Sequence, residues 1–143
     1  MANEIIRKRL AVFGSRSLDD SRISLIINNE IECNSVTEII TAAEPNGVCG
    51  IARELCKQRA MPLKLYFLNF KYLRGAFEHR SKAILRDCDV CVLIHDGKSK
   101  GTKNEYEQVL KMKIPHKYYV LEIQMMDING INDELDLSNM EIY

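Results

Sequence analysis

The chain has 143 residues, 46% of them hydrophobic, which is enough for one domain with a real core and too few for two ordinary domains. Its 20 basic and 20 acidic residues cancel formally, which argues against a nucleic-acid groove or an anionic membrane as partner. No stretch reaches the roughly 18 apolar residues of a membrane span, and the first ten residues lack the apolar part of an export signal. We therefore expect one cytoplasmic domain over residues 1–143 that binds any anion locally.

Five short apolar segments predict β-strands, in chain order at residues 9–14, 37–41, 63–68, 89–94 and 117–123. Helical periodicity fills the intervals between them, and this alternation implies right-handed crossovers. The pattern predicts an α/β fold of three layers, with a five-stranded, mostly parallel sheet in the order 3-2-1-4-5. This core covers residues from about 9 to 124. The polar, acidic tail over residues 125–143 is expected to be loosely ordered or to cover a neighbouring surface.

Five cysteines is an odd number for a chain without an export signal, which favours reduced thiols. The pair Cys88 and Cys91 has the spacing of a zinc knuckle, but no second pair of ligands exists. A redox pair usually opens a helix, whereas this pair leads into the apolar run VCVLI. We expect core packing here, with no metal and no cofactor.

Two loops are predicted to meet where the strand order reverses, beyond the ends of the first and fourth strands. They are GSRSLDD at residues 14–20 and HDGKSKGT at residues 95–102. Both combine glycine, small hydroxyl side chains and a cation, which are the components of a phosphate-binding cradle. Neither loop matches a strict nucleotide-binding motif, so the prediction depends on their convergence.

Four segments of the chain resemble the SLOG superfamily in their order and spacing, particularly its small stand-alone bacterial and phage members. They are FGSRSLDD, NGVCGIARELCKQRAMPLKLY, YLRGAFEHRSKAI and DCDVCVLIHDGKSKGT, and the resemblance covers roughly residues 9–112. That superfamily has a Rossmann-like fold and includes the LOG phosphoribohydrolases, the DNA-processing protein A family and nucleotide-sensing domains of bacterial immunity. The resemblance implies a nucleotide or nucleotide-sugar ligand and a homo-oligomer.

Family positions transfer onto this chain residue by residue. The matching residues are Gly14, Ser15 and Arg16 in the first phosphate-binding loop, Arg80 at the start of the third helix, and Gly101, Thr102 and Glu105 in the hydrolases' G-T-x-x-E motif.

Several positions depart from the family pattern. Cys49 stands at an acidic position, Ser81 stands where small members often have asparagine, and Gly97, Lys98 and Ser99 replace the hydrolases' P-G-G. These departures weaken the transfer of catalysis more than that of the fold.

Thr102 and Glu105 also form the T-x-x-E pattern of a capping box, so Glu105 is either a helix cap or a ligand-binding residue. Arg80 shares a helix face with Phe77 and Ile84, which places its guanidinium at the edge of a buried stripe. Its partner is then either a structural carboxylate, Asp96 or Glu105, or a ligand phosphate held by two hydrogen bonds.

Other residues near the two loops have simpler interpretations. Asp96 is suited to hold the N–H groups of its own loop in an Asx-type turn, and His95 to packing or base stacking. Lys98 gains significance only from its position at the crevice. The aromatic segment at residues 66–73 is expected to form a pocket wall or a subunit contact.

Two function classes follow. In the first, the chain binds a nucleotide-derived ligand as a sensor, carrier or sequestering protein. The second is a phosphoribohydrolase or N-glycosidase, in which Glu105 acts on water or on oxocarbenium charge while Arg80 holds the 5′-phosphate. We prefer binding, and DNA handling is disfavoured by the absence of a basic surplus. The predicted ligand-binding residues are Gly14, Ser15, Arg16, Arg80, Asp96, Gly97, Lys98, Ser99, Gly101, Thr102 and Glu105.

Overall fold

Strands and helices alternate along the chain, as the sequence pattern predicts. The computed structural model describes residues 6–121 and 140–142. Its strands are β1 (Arg9–Gly14), β2 (Glu38–Ala42), β3 (Leu63–Tyr66), β4 (Val90–His95), β5 (His116–Leu121) and β6 (Met140–Ile142). Its helices are α1 (Ser21–Cys33), α2 (Gly47–Arg59), α3 (Ala76–Asp87) and α4 (Lys100–Met112), with a 3₁₀ helix at Phe70–Gly75 before α3.

The sheet has the predicted strand order with one addition. The observed order is β3-β2-β1-β4-β5-β6, and β1 to β5 all run parallel, which confirms the 3-2-1-4-5 arrangement. β6 pairs antiparallel with β5 as a sixth strand, from a part of the chain that the sequence analysis treated as a polar tail. The rest of that predicted tail, residues 125–139 and 143, lies outside the described residues.

Each face of the sheet carries its own layer of helices. Leu10 and Val12 of β1 belong to an apolar cluster with residues of α1 and α2, whereas Ala11 and Phe13 belong to a second cluster with residues of α3 and α4. Alternate side chains of a strand point to opposite faces, so a central strand buried on both faces is apolar throughout. The three-layer α/β/α prediction is therefore confirmed.

The cysteine pair lies in this packing as expected. Cys91 is fully buried in β4, and Cys88 follows the last residue of α3. Burial raises the pKa of the Cys88 thiol to about 12 and that of Cys91 well above its ordinary value, so both remain thiols. Within residues 6–121 and 140–142, no cluster of three or more His, Cys, Asp or Glu side chains could hold a metal ion. No helix in this part of the chain is long and apolar enough to cross a membrane.

Glycine allows the first loop to pack closely against α2. A Cβ atom on Gly14 would lie 2.3 Å from the side chain of Val48, and Gly47 has a φ of +67°. A residue with a side chain would clash at the first position and be strained at the second. These two glycines therefore let the loop after β1 lie directly against the start of α2.

Candidate functional site

A cavity of about 360 Å³ opens at the carboxyl ends of β1 and β2, on the face of the sheet that α3 and α4 cover. Both predicted loops contribute to it, together with the β2–α2 loop and the two helices. Its lining residues are Gly14, Arg16, Ala42, Glu44, Cys49, Phe77, Glu78, Arg80, Ser81, Ser99, Gly101, Thr102, Asn104, Glu105, Glu107 and Gln108.

The two predicted loops contact each other directly. The N–H group of Asp96 donates to Ser15 Oγ at 3.1 Å, and the N–H group of Ser15 donates to the carbonyl of Ile94 at 3.2 Å. Of the predicted ligand-binding residues, the cavity is lined by Gly14, Arg16, Arg80, Ser99, Gly101, Thr102 and Glu105. The remaining four do not line it, namely Ser15, Asp96, Gly97 and Lys98.

Asp96 organises its own loop, as the Asx-turn interpretation predicts. Its Oδ1 accepts hydrogen bonds from the N–H groups of Lys98 and Ser99, both at 2.8 Å. Burial alone would raise the pKa of Asp96, but these N–H groups outweigh it and hold the pKa below its ordinary value. Lys98 is exposed on the outside of this turn. Neither Lys98 nor Lys100, the two cations of this loop, lines the cavity.

The capping-box interpretation of Thr102 and Glu105 is wrong. The N-cap of α4 is Ser99, and the helix begins at Lys100, so Thr102 already lies inside its first turn. Glu105 lies one turn further on, and its Oε2 accepts a hydrogen bond from Ser81 Oγ of α3 at 3.2 Å. α4 begins before Thr102 because the Asp96 turn ends at Ser99, whose backbone is extended, with φ −64° and ψ 121°. The first turn of α4, rich in N–H groups without helical partners, therefore borders the cavity.

Arg80 has a carboxylate partner that sequence reasoning missed. Its side chain is only 9% exposed, and Nη2 donates to Glu44 Oε1 at 2.8 Å. The proposed structural partners, Asp96 and Glu105, do not form this pair. Arg80 Nε is buried without a hydrogen-bond partner among the residues that the structure describes. A buried donor of this kind is rare in proteins and calls for an explanation.

Phe77 contacts two guanidinium groups at the cavity. The Cζ atoms of Arg16 and Arg80 lie 5.2 and 5.3 Å from the centre of its ring, which is the range of cation–π contacts. Phe77 was predicted on the buried stripe of α3, but its side chain is 46% exposed. Arg16 is exposed, and within the described chain its guanidinium forms no hydrogen bond or ion pair. Arg16 is thus the more available of the two cations.

Glu105 has the most strongly perturbed carboxyl group at the cavity. Burial raises its pKa from 4.5 to about 8, although the Ser81 hydrogen bond and the charges of Arg80 and Arg16 act in the opposite direction. The nearby Glu44 carboxylate raises it further. At neutral pH the Glu105 carboxyl is therefore mainly protonated, and it can donate one hydrogen bond as well as accept others.

Cys49 lies in the same cluster as a thiol. It is buried, and burial raises its pKa above the ordinary value, while a hydrogen bond with Thr41 lowers it less strongly. The nucleophilic form of cysteine is the thiolate, which this environment disfavours. The residue that replaces the family's acidic position therefore contributes a small neutral group to the cavity.

His95 supports the cavity from outside it. It is buried, its Nδ1 contacts the Tyr118 hydroxyl, and its Nε2 lies 2.9 Å from the carbonyl oxygen of Ser99. A carbonyl accepts, so Nε2 carries the proton, and the ring fixes the first residue before α4. The packing interpretation of His95 is confirmed. No residue of the aromatic segment 66–73 lines the cavity, so the pocket-wall interpretation of that segment is wrong.

The cavity lining carries charges of both signs. Two cations, Arg16 and Arg80, line the cavity beside the first turn of α4. The lining also includes four acidic residues, Glu44, Glu78, Glu105 and Glu107. Such a site can bind an anion near the arginines and the helix start, and hydrogen-bond donors such as sugar hydroxyls elsewhere. No protein-family model, curated protein or solved structure matches this chain, so the resemblance to the SLOG superfamily stays a prediction from the quoted motifs.

Proposed function

We propose that this chain is a SLOG-like protein that binds a small nucleotide-derived or nucleotide-sugar ligand, as a sensor, carrier or sequestering protein. The observation that carries the proposal is the buried guanidinium of Arg80. It lines the cavity beside the first turn of α4, and its Nε has no hydrogen-bond partner among the described residues. A buried cation with unused donor capacity next to a helix N-terminus favours an anionic ligand group.

The size of the cavity supports a small ligand. Its volume of about 360 Å³ lies near the lower end of the roughly 300–1,000 Å³ of small-molecule sites. This space suits a mononucleotide better than a dinucleotide.

The mixed charges suggest an orientation for this ligand. Its phosphate would contact Arg16 and the N–H groups of Gly101 and Thr102, because Arg80 already shares its charge with Glu44. The protonated Glu105 carboxyl and the Glu44 carboxylate would then face sugar hydroxyl groups or ring nitrogens. Arg80 would act between the two ends, holding Glu44 and donating to the ligand.

The perturbed pKa of Glu105 is the observation that favours hydrolysis as a second candidate function. A carboxyl that titrates near 8 can protonate a departing base at neutral pH, but it activates water only once the pH exceeds this value. Family hydrolases are expected to have P-G-G where this chain has Gly97, Lys98 and Ser99, and Cys49 adds no charge. Binding without turnover is therefore the better supported function.

The test begins with mass spectrometry of small molecules released from purified, heat-denatured protein. We expect a phosphate-bearing nucleotide derivative, recovered intact. The wild-type chain is then incubated with a panel of nucleoside monophosphates, and free base is detected by chromatography. Multiple turnovers by the wild type that Glu105→Gln reduces by about 100-fold or more would establish the hydrolase instead.

A further inference from the structure

The sheet has two very different edges. At one edge β6 covers β5, whereas at the other no strand of the described chain lies beyond β3. The carbonyls of Pro62 and Tyr66 accept from N–H groups of Ile39 and Ala43 on the β2 side, at 3.0 and 2.8 Å. Since backbone groups of a strand alternate in direction, Leu63 and Leu65 present their N–H and C=O groups outward.

The side chains of β3 divide between the two faces of the sheet. Leu63 and Leu65 are half-buried and line a shallow groove with residues of α2. On the other face, Tyr66 packs against the α3 and α4 cluster and donates a hydrogen bond to Asp87. Lys64 Nζ lies 4.7 Å from the centre of the Tyr66 ring and 3.6 Å from Asp87 Oδ2.

We propose that β3 pairs antiparallel with β3 of a second copy of this chain, about a two-fold axis at Leu65. In that register Leu65 lies opposite Leu65 of the second copy, Lys64 opposite Tyr66, and Leu63 opposite Phe67. Residues directly opposite in an antiparallel pair lie on the same face. Every pair is then favourable, because two pairs are apolar and the third repeats the lysine–tyrosine contact that each chain already makes.

The neighbouring register is unfavourable. Moving the axis to Lys64 places the two lysines directly opposite each other, and like charges in that position are destabilising. In the Leu65 register, by contrast, Lys64 approaches the carboxylate of Asp87 in the second copy, because Asp87 accepts the hydrogen bond of the Tyr66 opposite. Lysine on an edge strand usually prevents pairing. Here Lys64 can pair with the Asp87 carboxylate of its own chain and with that of the second copy.

Exposed aromatic side chains next to β3 support this contact. Phe67 is 74% exposed and Phe70 is 78% exposed, directly after the strand. In the proposed pair, Phe67 covers Leu63 of the second copy and enters the groove that Leu63 and Leu65 form with α2. Apolar side chains of this size next to an open strand edge are characteristic of an association surface. The contact is formed by residues outside the cavity lining.

Sedimentation equilibrium of the purified full chain tests the association. We expect the wild type to shift from monomer to dimer with concentration, and Leu65→Lys to weaken dimerisation by about tenfold or more, since it opposes two charges at the axis. Leu110→Lys is the matched control, because Leu110 is an exposed leucine of α4 away from this edge, and it should dimerise as the wild type does. A wild-type chain that stays monomeric into the millimolar range would overturn the proposal.

Disulfide cross-linking tests the register even if Leu65→Lys folds poorly. In a Cys33→Ser background, which removes an exposed thiol, Leu65→Cys should form a cross-linked dimer under mild oxidation. The two residues at the axis have Cα atoms about 5.5 Å apart, within the range of a disulfide. Leu63→Cys should not cross-link, because its counterpart lies four residues away along the ladder. Equal cross-linking of the two variants would overturn this register.

Discussion

Two carboxyl groups on opposite faces of the sheet show how differently this fold treats a buried charge. Glu30 of α1 is 1% exposed, and its two oxygens are fully engaged. Oε1 accepts from the Tyr119 hydroxyl at 2.8 Å and lies 3.3 Å from Lys117 Nζ, while Oε2 accepts from the Asn34 amide at 3.0 Å. A buried polar group with all its partners in place stabilises one arrangement of the chain. This network is closed, and it is structural.

Glu105 is half-buried and has far fewer partners. Within the described residues, its one side-chain hydrogen bond comes from Ser81. Nearby, the Nε atom of Arg80 has no hydrogen-bond partner in the described part of the chain, and both residues line the cavity. The comparison teaches that burial alone does not identify a functional carboxyl. A functional carboxyl is indicated by incomplete hydrogen bonding next to a cavity, because a ligand can supply the missing partners.

The largest expected effect is on stability at the closed network. Glu30→Ala should lower the free energy of unfolding by about 3 kcal/mol, because it leaves the buried Tyr119 hydroxyl without an acceptor and removes one of the two acceptors of the Asn34 amide. Glu105→Ala should lower the free energy of unfolding by clearly less, because burial of the Glu105 carboxylate is itself unfavourable, as the raised pKa shows. Urea denaturation of the two variants at pH 7 provides the comparison. Equal losses would remove the distinction between the two sites.

Arg80→Ala should act on ligand binding. Loss of a buried guanidinium at the cavity should weaken the affinity for a phosphate-bearing ligand by about 2–3 kcal/mol. Arg59→Ala is the matched control, because Arg59 pairs with Glu32 and Asn28 on the surface, away from the cavity. Calorimetry that gives an unchanged dissociation constant for Arg80→Ala would assign this residue to a structural ion pair with Glu44.

The stability of the protein should depend on pH through Glu105. Between its unfolded pKa near 4.5 and its folded value of about 8, the folded chain holds a proton that the unfolded chain releases, so stability falls as the pH rises through this range. The effect should be about 1–3 kcal/mol, after allowance for the exposure of Glu105 to the cavity. Thermal midpoints at pH 5 and pH 8.5 should show this decline in the wild type. In Glu105→Gln the decline should be smaller, and identical profiles would contradict the raised pKa.

The smallest effect concerns the cysteine pair. Cys91→Ala should cost about 1–2 kcal/mol through lost packing in β4 and should leave ligand affinity unchanged. Denaturant titration and calorimetry on the same variant separate the two properties. A finding of one zinc per chain by elemental analysis of the wild type would contradict the interpretation that this cysteine pair only packs in the core.

The fold was accessible from the sequence because its strands are marked locally. The first strand was predicted at residues 9–14 and observed at Arg9–Gly14, and the others begin within one residue of their predictions. Alternating strands and helices then left few possible topologies. β6 was missed because its pairing with β5 is a tertiary contact, with no apolar pattern of its own.

The candidate site could be predicted only in part from the sequence. The meeting of the two loops follows from topology, so Arg16, Gly101 and Thr102 could be placed near the crevice. Glu44 could not be placed near the crevice from the sequence, because an acidic residue in a short loop has no periodic pattern. Its partner Arg80 is also 36 positions away. Glu105 was matched by its motif, and of its two interpretations the helix cap was wrong, since the local T-x-x-E pattern does not show where α4 begins.

We conclude that the open cavity lined by Arg16, Arg80 and Glu105 binds a nucleotide-like ligand, with the phosphate at Arg16 and the first turn of α4. Its most direct test is calorimetric titration of the wild-type chain with nucleoside monophosphates and with the corresponding nucleosides. We expect at least one monophosphate to bind with a stoichiometry of one, and its nucleoside to bind about 100-fold or more weakly, because the charge-assisted hydrogen bonds to phosphate are lost. A nucleoside that binds as tightly as its monophosphate, or a panel with no binding at all, would contradict the account.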